Sequence, residues 1–222
     1  MKGINLLLIT LMLTISCGSL PELEPGNLSI ISDIHERCSI PFLDDKWQLI
    51  HSIEATMPNG KKGFVVGITV IAPQTRTIHC VIMTIEGLVV FDAQYDQKVV
   101  INRGIPPFDS VDFAKDLMNN IKLVFLEPDG ELTESGMLNN GSYVCRYRNN
   151  DGTIVDVIIN QDNTWIIRHY NNRSCLTRTI RAYSVGQPSS VNQKMIPGRL
   201  ELTSHGPAEH SLVLELIKAE LL

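Results

Sequence analysis

From residue 46 onwards, the chain is divided into short segments rich in β-forming residues and separated by turn signals such as Pro58-Asn59-Gly60. Eleven segments fit this description: 46–57, 64–72, 78–84, 88–93, 98–102, 143–148, 154–159, 165–170, 175–183, 199–204 and 211–219. Turns this short join antiparallel neighbours, because parallel strands need long crossover connections. The sequence therefore predicts a mainly β (α+β) domain with an antiparallel sheet of about eleven strands.

Two of the predicted strands are apolar at odd and even positions alike, namely residues 64–71 and 88–91. A sheet with one wet face alternates apolar and polar side chains, so both faces of these strands are expected to be covered. Either the sheet curls and is filled by its own side chains, or its concave side holds an apolar ligand. In the second arrangement the cavity is lined by alternating residues, represented by Ile68, Val70, Ile82 and Val90.

One segment follows a helical rather than a strand pattern. Asp109 and Ser110 can cap a helix, and Pro128 ends it. Apolar residues between them recur at helical spacing, which predicts a helix from about Asp109 to Leu126. The residues that this helix turns towards the sheet, and hence towards the cavity, are Phe113, Leu117 and Ile121. A shorter helix is predicted over residues 29–36.

The first sixteen residues have the pattern of a signal peptide. A positively charged start precedes an apolar run, residues 4–15. A helix of that length reaches ~18 Å, which is short of the ~30 Å hydrocarbon core of a membrane. We therefore predict that residues 1–16 are an export signal.

The residues that follow resemble the lipobox of bacterial lipoproteins, in which a cysteine thiol is acylated and becomes the mature N-terminus. Here the sequence is Ser16-Cys17-Gly18, so Cys17 is the predicted lipid attachment residue; the alternative is an ordinary signal peptide with a chance cysteine. Because Gly18 is not Asp, the resemblance implies the outer membrane rather than retention at the inner one. Residues 17–27 contain two Pro and two Gly and are predicted to form a flexible tether.

Composition and motifs point away from catalysis and nucleic acid. The net charge is −5, the pI is about 5.7, and no run of basic residues occurs. The sequence contains no nucleophile elbow, phosphate-binding loop or zinc-protease motif, and we predict no catalytic residue, metal or cofactor. Four cysteines follow Cys17 and allow three pairings. Cys145 and Cys175, both in predicted strands, form the first pair suggested, and four free thiols remain the alternative.

Taken together, these features resemble the lipoprotein-localisation factor superfamily (LolA/LolB type). The most distinctive pieces are residues 67–70, residues 86–92 and the helix start at residues 108–114. The resemblance covers residues 28–222 as a single domain and implies an open, strongly curved half-barrel with one or two helices on its concave side. It also implies a lipid-anchored, periplasm-facing protein that binds lipid or lipoprotein acyl chains and transfers or inserts them at the outer membrane. A periplasmic carrier protein is a further implied partner, and a structural adaptor lipoprotein is the alternative.

Overall fold

The computed structural model describes residues 20–25, 37–162, 164–183, 196–206 and 209–222. It confirms a mainly β chain, and all eleven predicted strands are present. The strands are β1 (Glu24–Pro25), β2 (Trp47–Thr56), β3 (Lys62–Ala72), β4 (Thr77–Met83), β5 (Val89–Asp96), β6 (Lys98–Gly104), β7 (Glu131–Met137), β8 (Tyr143–Arg148), β9 (Ile154–Ile159), β10 (Trp165–Tyr170), β11 (Leu176–Tyr183), β12 (Arg199–Ser204) and β13 (His210–Leu221).

Two of these strands were not predicted from the sequence. The segment that forms β7 is polar and mostly exposed, so it lacks the alternation that marks a half-buried strand. The two residues of β1 lie in the predicted tether and pair with β7, where Glu24 is opposite Met137 and Pro25 is opposite Gly136. Both missed strands thus lie at one edge of the sheet.

All thirteen strands belong to one open antiparallel sheet, in the order β1-β7-β8-β9-β10-β11-β12-β13-β2-β3-β4-β5-β6. The C-terminal strand β13 pairs with β2 and so joins the two halves of the chain. The sheet is not closed, because β1 and β6 are its two edges. The predicted open half-barrel is therefore confirmed.

The predicted long helix is present as α1 (Val111–Phe125). The hydroxyl of Ser110 accepts a hydrogen bond from the backbone N–H of Phe113 (3.1 Å), which is the expected N-terminal cap. The helix packs on one face of the sheet, which we call the inner face; the opposite face is the outer face. Ala114 and Met118 are fully buried in the contact, so the main hydrophobic core lies between α1 and the inner face. A smaller group of buried residues lies on the outer face of β8 to β10: Val144, Ile154, Ile158 and Tyr170.

A disulfide joins Cys38 to Cys145, so the suggested pairing of Cys145 with Cys175 is wrong. In the sheet order, β8 and β11 are separated by two strands, and three spacings of ~4.8 Å exceed the reach of a disulfide. Cys145 lies on the inner face of β8, and its bridge holds the helical residues 37–39 against that face. The four-free-thiol alternative is also excluded, since Cys80 is the free cysteine of the described residues.

Several predictions concern residues outside the described part of the chain. They include the signal peptide (residues 1–16), the lipid attachment residue Cys17 and the short helix over residues 29–36. Of the predicted tether, residues 20–25 are described. Within the described ranges, no helix has the length and apolarity needed to cross a membrane.

Candidate ligand-binding face

The inner face is built from rows of directly opposed residues that cross the strands. Residues opposite each other in a ladder point to the same side of the sheet, so each row is a continuous strip of surface. One long apolar row crosses nine strands: Met137, Tyr143, Ile159, Trp165, Ala182, Leu200, Leu214, Ile53 and Val65. A second row continues into the last strands: Leu49, Thr69, Cys80, Ala93 and Ile101. The inner face is therefore apolar from one half of the sheet to the other.

Five of the seven predicted lining residues belong to this face or to its cover. Ile82, Val90 and Ile121 lie in the buried core cluster, and Phe113 and Leu117 are half-buried against it. The structure thus brings these five residues together at the inner face. The centre of the helix contact is Met118, which is fully buried, and it lies one residue beyond the predicted Leu117.

The other two predicted lining residues, Ile68 and Val70, lie on the outer face. The register places Gly67 opposite His51 and Thr69 opposite Cys80 on the inner face, so the even-numbered residues of β3 point outward. The sequence did not distinguish the two parities because both are apolar. Gly67 has a local role on the inner face: a Cβ there would lie 2.8 Å from Cδ1 of Ile53, so the missing side chain makes room for Ile53.

Helix α1 is the main described cover of the inner face. Near its start, the Phe113 ring lies edge-on to Phe91, with centroids 5.3 Å apart. Near its end, the ammonium of Lys122 lies 3.3 Å from the centre of the Tyr95 ring. The backbone N–H of Leu43 donates to the carbonyl of Phe125 (2.9 Å), which connects the helix to the segment held by the disulfide. The helix is thus fixed mainly by side-chain packing.

In β2, β3 and β4, three polar side chains interrupt the apolar inner face, and sequence reasoning did not assign them to it. His51 is buried, its ring lies 6.3 Å from that of Phe125, and its Nε2 has no hydrogen-bond partner. Burial lowers the pKa of His51 to about 4, so its imidazole is neutral. Thr69 donates a hydrogen bond to the Cys80 sulfur (3.9 Å), and burial raises the pKa of Cys80 to about 12. The inner face therefore carries no charge among these groups.

The inner face is not equally covered along its length. Val65, Leu212 and Leu214, where β13, β2 and β3 meet, are only partly buried, as are Phe113 and Leu117 of the helix above. By contrast, a polar cavity of about 340 Å³ lies at the C-terminal end of α1. Its lining includes Arg76, Lys122, Arg178, Asp129 and Asp151, so it differs from the predicted apolar cavity.

The described residues also show what the site lacks. No group of three or more His, Cys, Asp or Glu side chains in the described ranges is arranged to hold a metal ion. The chemistry offered by the rows of apolar residues on the inner face is apolar contact. The neutral His51 imidazole and the Tyr147 hydroxyl are buried polar groups of this face without a hydrogen-bond partner. These properties define the class: an open half-barrel with an apolar, helix-covered inner face.

Comparison with known proteins supports the fold assignment. A LolA superfamily protein from Nitrosomonas europaea has a similar structure, with a TM-score of 0.60 and 13% sequence identity over 86% of this chain and 93% of that one. An outer membrane lipoprotein-sorting protein domain from Vibrio parahaemolyticus aligns with a TM-score of 0.49 and 11% identity over 85% of this chain and 91% of that one. No family model matches the sequence, and no curated protein matches it significantly. The chain has the LolA-type fold, as its resemblance predicted.

Proposed function

We propose that this chain is a lipid-anchored lipoprotein of the cell envelope that binds lipid or lipoprotein acyl chains on its inner face. The observation that carries the proposal is the continuous apolar row from Tyr143 to Val65, with a helix as its main described cover. The LolA-type fold supports the same role at the level of architecture. No enzymatic activity is part of the proposal.

In the proposed mechanism, α1 acts as a movable lid. Displacing its N-terminal half would uncover Ile82 and Val90 together with Phe113 and Leu117. The buried contact of Met118, and that of Ile121 in the next turn, would limit the movement. Each buried methylene of an acyl chain gains about 0.8 kcal/mol, so a dozen of them outweigh the cost of ordering the chain. Such binding needs no charged contact, which fits the apolar rows of the inner face.

The remaining parts of the proposal concern location and partners. Cys17 would carry the lipid, on the outer membrane and facing the periplasm, and acyl chains would arrive from a periplasmic carrier protein. Mass spectrometry of protein extracted from membranes tests the anchor. A diacylglyceryl or palmitate mass on Cys17 supports it, whereas Cys17 as a free thiol, in a disulfide or removed with the signal peptide contradicts it.

A titration of the full chain with a fluorescent fatty acid tests the binding site. Val65→Glu places a charge on the half-buried inner face and should abolish binding without unfolding the protein. Val70→Glu is the matched control, because it places the same charge five residues along β3 on the outer face, and binding should persist. Thermal melts of both variants separate loss of binding from loss of fold.

The second candidate function is a structural adaptor lipoprotein whose inner face is filled by its own side chains. It is favoured by the packing of α1, in which Ala114 and Met118 are fully buried against the sheet. Absence of fatty-acid binding by the wild-type protein, with Val65→Glu and Val70→Glu behaving alike, would support the adaptor and reject the ligand-binding proposal.

A further inference from the structure

The N-terminal segment described by the structure, residues 20–25, is fastened to one edge of the sheet. Its last two residues form β1 and pair with β7 opposite Met137 and Gly136. Three residues before Glu24, the carbonyl oxygen of Pro21 accepts a hydrogen bond from Nη2 of Arg146 (3.0 Å). Both ends of this short segment are thus held by the body of the protein.

The side chain that holds Pro21 is itself rigidly placed on the outer face of β8. Arg146 is 4% exposed and forms two hydrogen bonds to the carboxylate of Asp156, Nε to Oδ1 (2.7 Å) and Nη2 to Oδ2 (3.0 Å). Its Nη1 donates to Glu134 on β7 (2.9 Å). A planar guanidinium with this many fixed partners has little freedom, so the hydrogen bond to Pro21 is a fixed attachment point.

Only three residues lie between Cys17 and Pro21, and the four steps from one to the other span at most about 14 Å when fully extended. We propose that the anchored protein turns towards the lipid bilayer the side on which residues 20–25 are fastened, that is, the outer side of β7 and β8. This inference rests on the proposed acylation of Cys17. With the lipid inserted and Pro21 fastened, the protein cannot move away from the membrane by using the full predicted tether.

The orientation has a direct consequence for the ligand-binding face. Because Arg146 is on the outer face, the inner face and α1 point away from the bilayer, where a carrier protein could approach. Surface charge does not provide this orientation. The neighbouring residues Glu22, Glu24 and Glu131 are exposed and acidic, and they would be repelled by anionic lipids. The attachment of the N-terminal segment is therefore the element that sets the orientation.

The test uses the full acylated protein in phosphatidylcholine vesicles that contain a nitroxide-labelled headgroup lipid. A fluorophore is attached to Asn139→Cys, in the exposed β7–β8 turn, or to the matched control Lys61→Cys, in the exposed β2–β3 turn. Both variants also carry Cys175→Ser, native Cys80 is buried, and Cys38 and Cys145 are joined in a disulfide, so the added cysteine takes the label. Quenching several-fold stronger at position 139 than at position 61 is the expected result.

Two variants alter the link between the anchor and the body of the protein and leave Arg146 unchanged. A Cβ at Gly136 would lie 2.5 Å from the carbonyl oxygen of Glu24, so Gly136→Val should displace β1 from β7. An insertion of Gly and Ser residues after Ser19 lengthens the anchor instead. The insertion should reduce quenching at position 139 to the level at position 61, and Gly136→Val should reduce it in the same direction.

The possible outcomes separate the two proposals. Equal quenching at both positions, in protein whose mass shows an acylated Cys17, overturns the orientation and leaves the lipid anchor standing. Strong quenching at position 139 that survives the insertion also overturns it, because proximity would then come from the surface itself. Protein without an acyl mass at Cys17 overturns both the anchor and the orientation.

Discussion

The ion pair between Arg146 and Asp156 offers a quantitative test of how the outer face is held. Arg146 is 4% exposed and Asp156 is 0% exposed, and two hydrogen bonds join their side chains. Arg146→Ala would leave the Asp156 carboxylate buried without its principal partner. Breaking a buried pair in this way costs about 3–5 kcal/mol, and the loss of the bonds to Glu134 and Pro21 adds to it. We expect the free energy of unfolding to fall by that amount.

The assay is equilibrium urea unfolding followed by far-ultraviolet circular dichroism at pH 7. Arg146→Met combined with Asp156→Leu is the decisive comparison, because it removes both charges and fills the space with apolar groups. Such replacements are often neutral or stabilising, so the double variant should be clearly more stable than Arg146→Ala. A single variant that loses less than about 1 kcal/mol, or a double variant that is no more stable than the single one, would refute the reasoning.

Three further predictions concern the core and the inner face. Met118→Ala, at a fully buried position, should lower the free energy of unfolding by about 2–5 kcal/mol in the same denaturant assay. Leu117→Ala, at a half-buried position, should lower it by clearly less, and equal losses would contradict the assigned helix face. Burial lowers the pKa of His51 from 6.5 to about 4, so between these pH values the unfolded state binds a proton that the folded state does not. The free energy of unfolding should therefore fall by about 3 kcal/mol for this group as the pH is lowered from 6.5 to 4. His51→Leu should lose that share of the pH dependence, and an unchanged dependence of stability on pH would contradict the prediction. Cys80, with its pKa raised to about 12 by burial, should react with iodoacetamide at pH 8 only after unfolding, and rapid labelling of the native protein would show that the thiol is accessible.

Most of the secondary structure could be predicted from the sequence because it depends on local signals. Alternating or continuous apolar residues between turn sequences identified eleven strands, and the spacing of Phe113, Leu117 and Ile121 identified α1 together with its Ser110 cap. The prediction of strands failed where the sequence contains no local strand signal. The segment 131–137 is polar, and β1 contains two residues, so only pairing with a neighbouring strand reveals them as part of the sheet.

The candidate site could be predicted only in part, because β3 is apolar at odd and even positions alike. Ile82, Val90 and the helix residues lie on the inner face or its cover, whereas Ile68 and Val70 lie on the outer face. When a strand has apolar residues at both odd and even positions, its sequence does not show which set of side chains faces inward. A shift of one residue in the pairing exchanges the two faces. The register with β2 and β4, which depends on residues far apart in the chain, decides that Gly67 and Thr69 point inward.

The sequence by itself determined the antiparallel strands, the helix and the apolar surplus that demands an inner face, because each depends on periodicity and turn chemistry within a few residues. Only the tertiary structure decided which distant residues are in contact with each other. It joined Cys38 to Cys145 across 107 residues, brought Arg146 to the carbonyl of Pro21 and placed β13 beside β2. These contacts link distant parts of the chain, and their energy comes from burial and geometry that exist only once the sheet has formed.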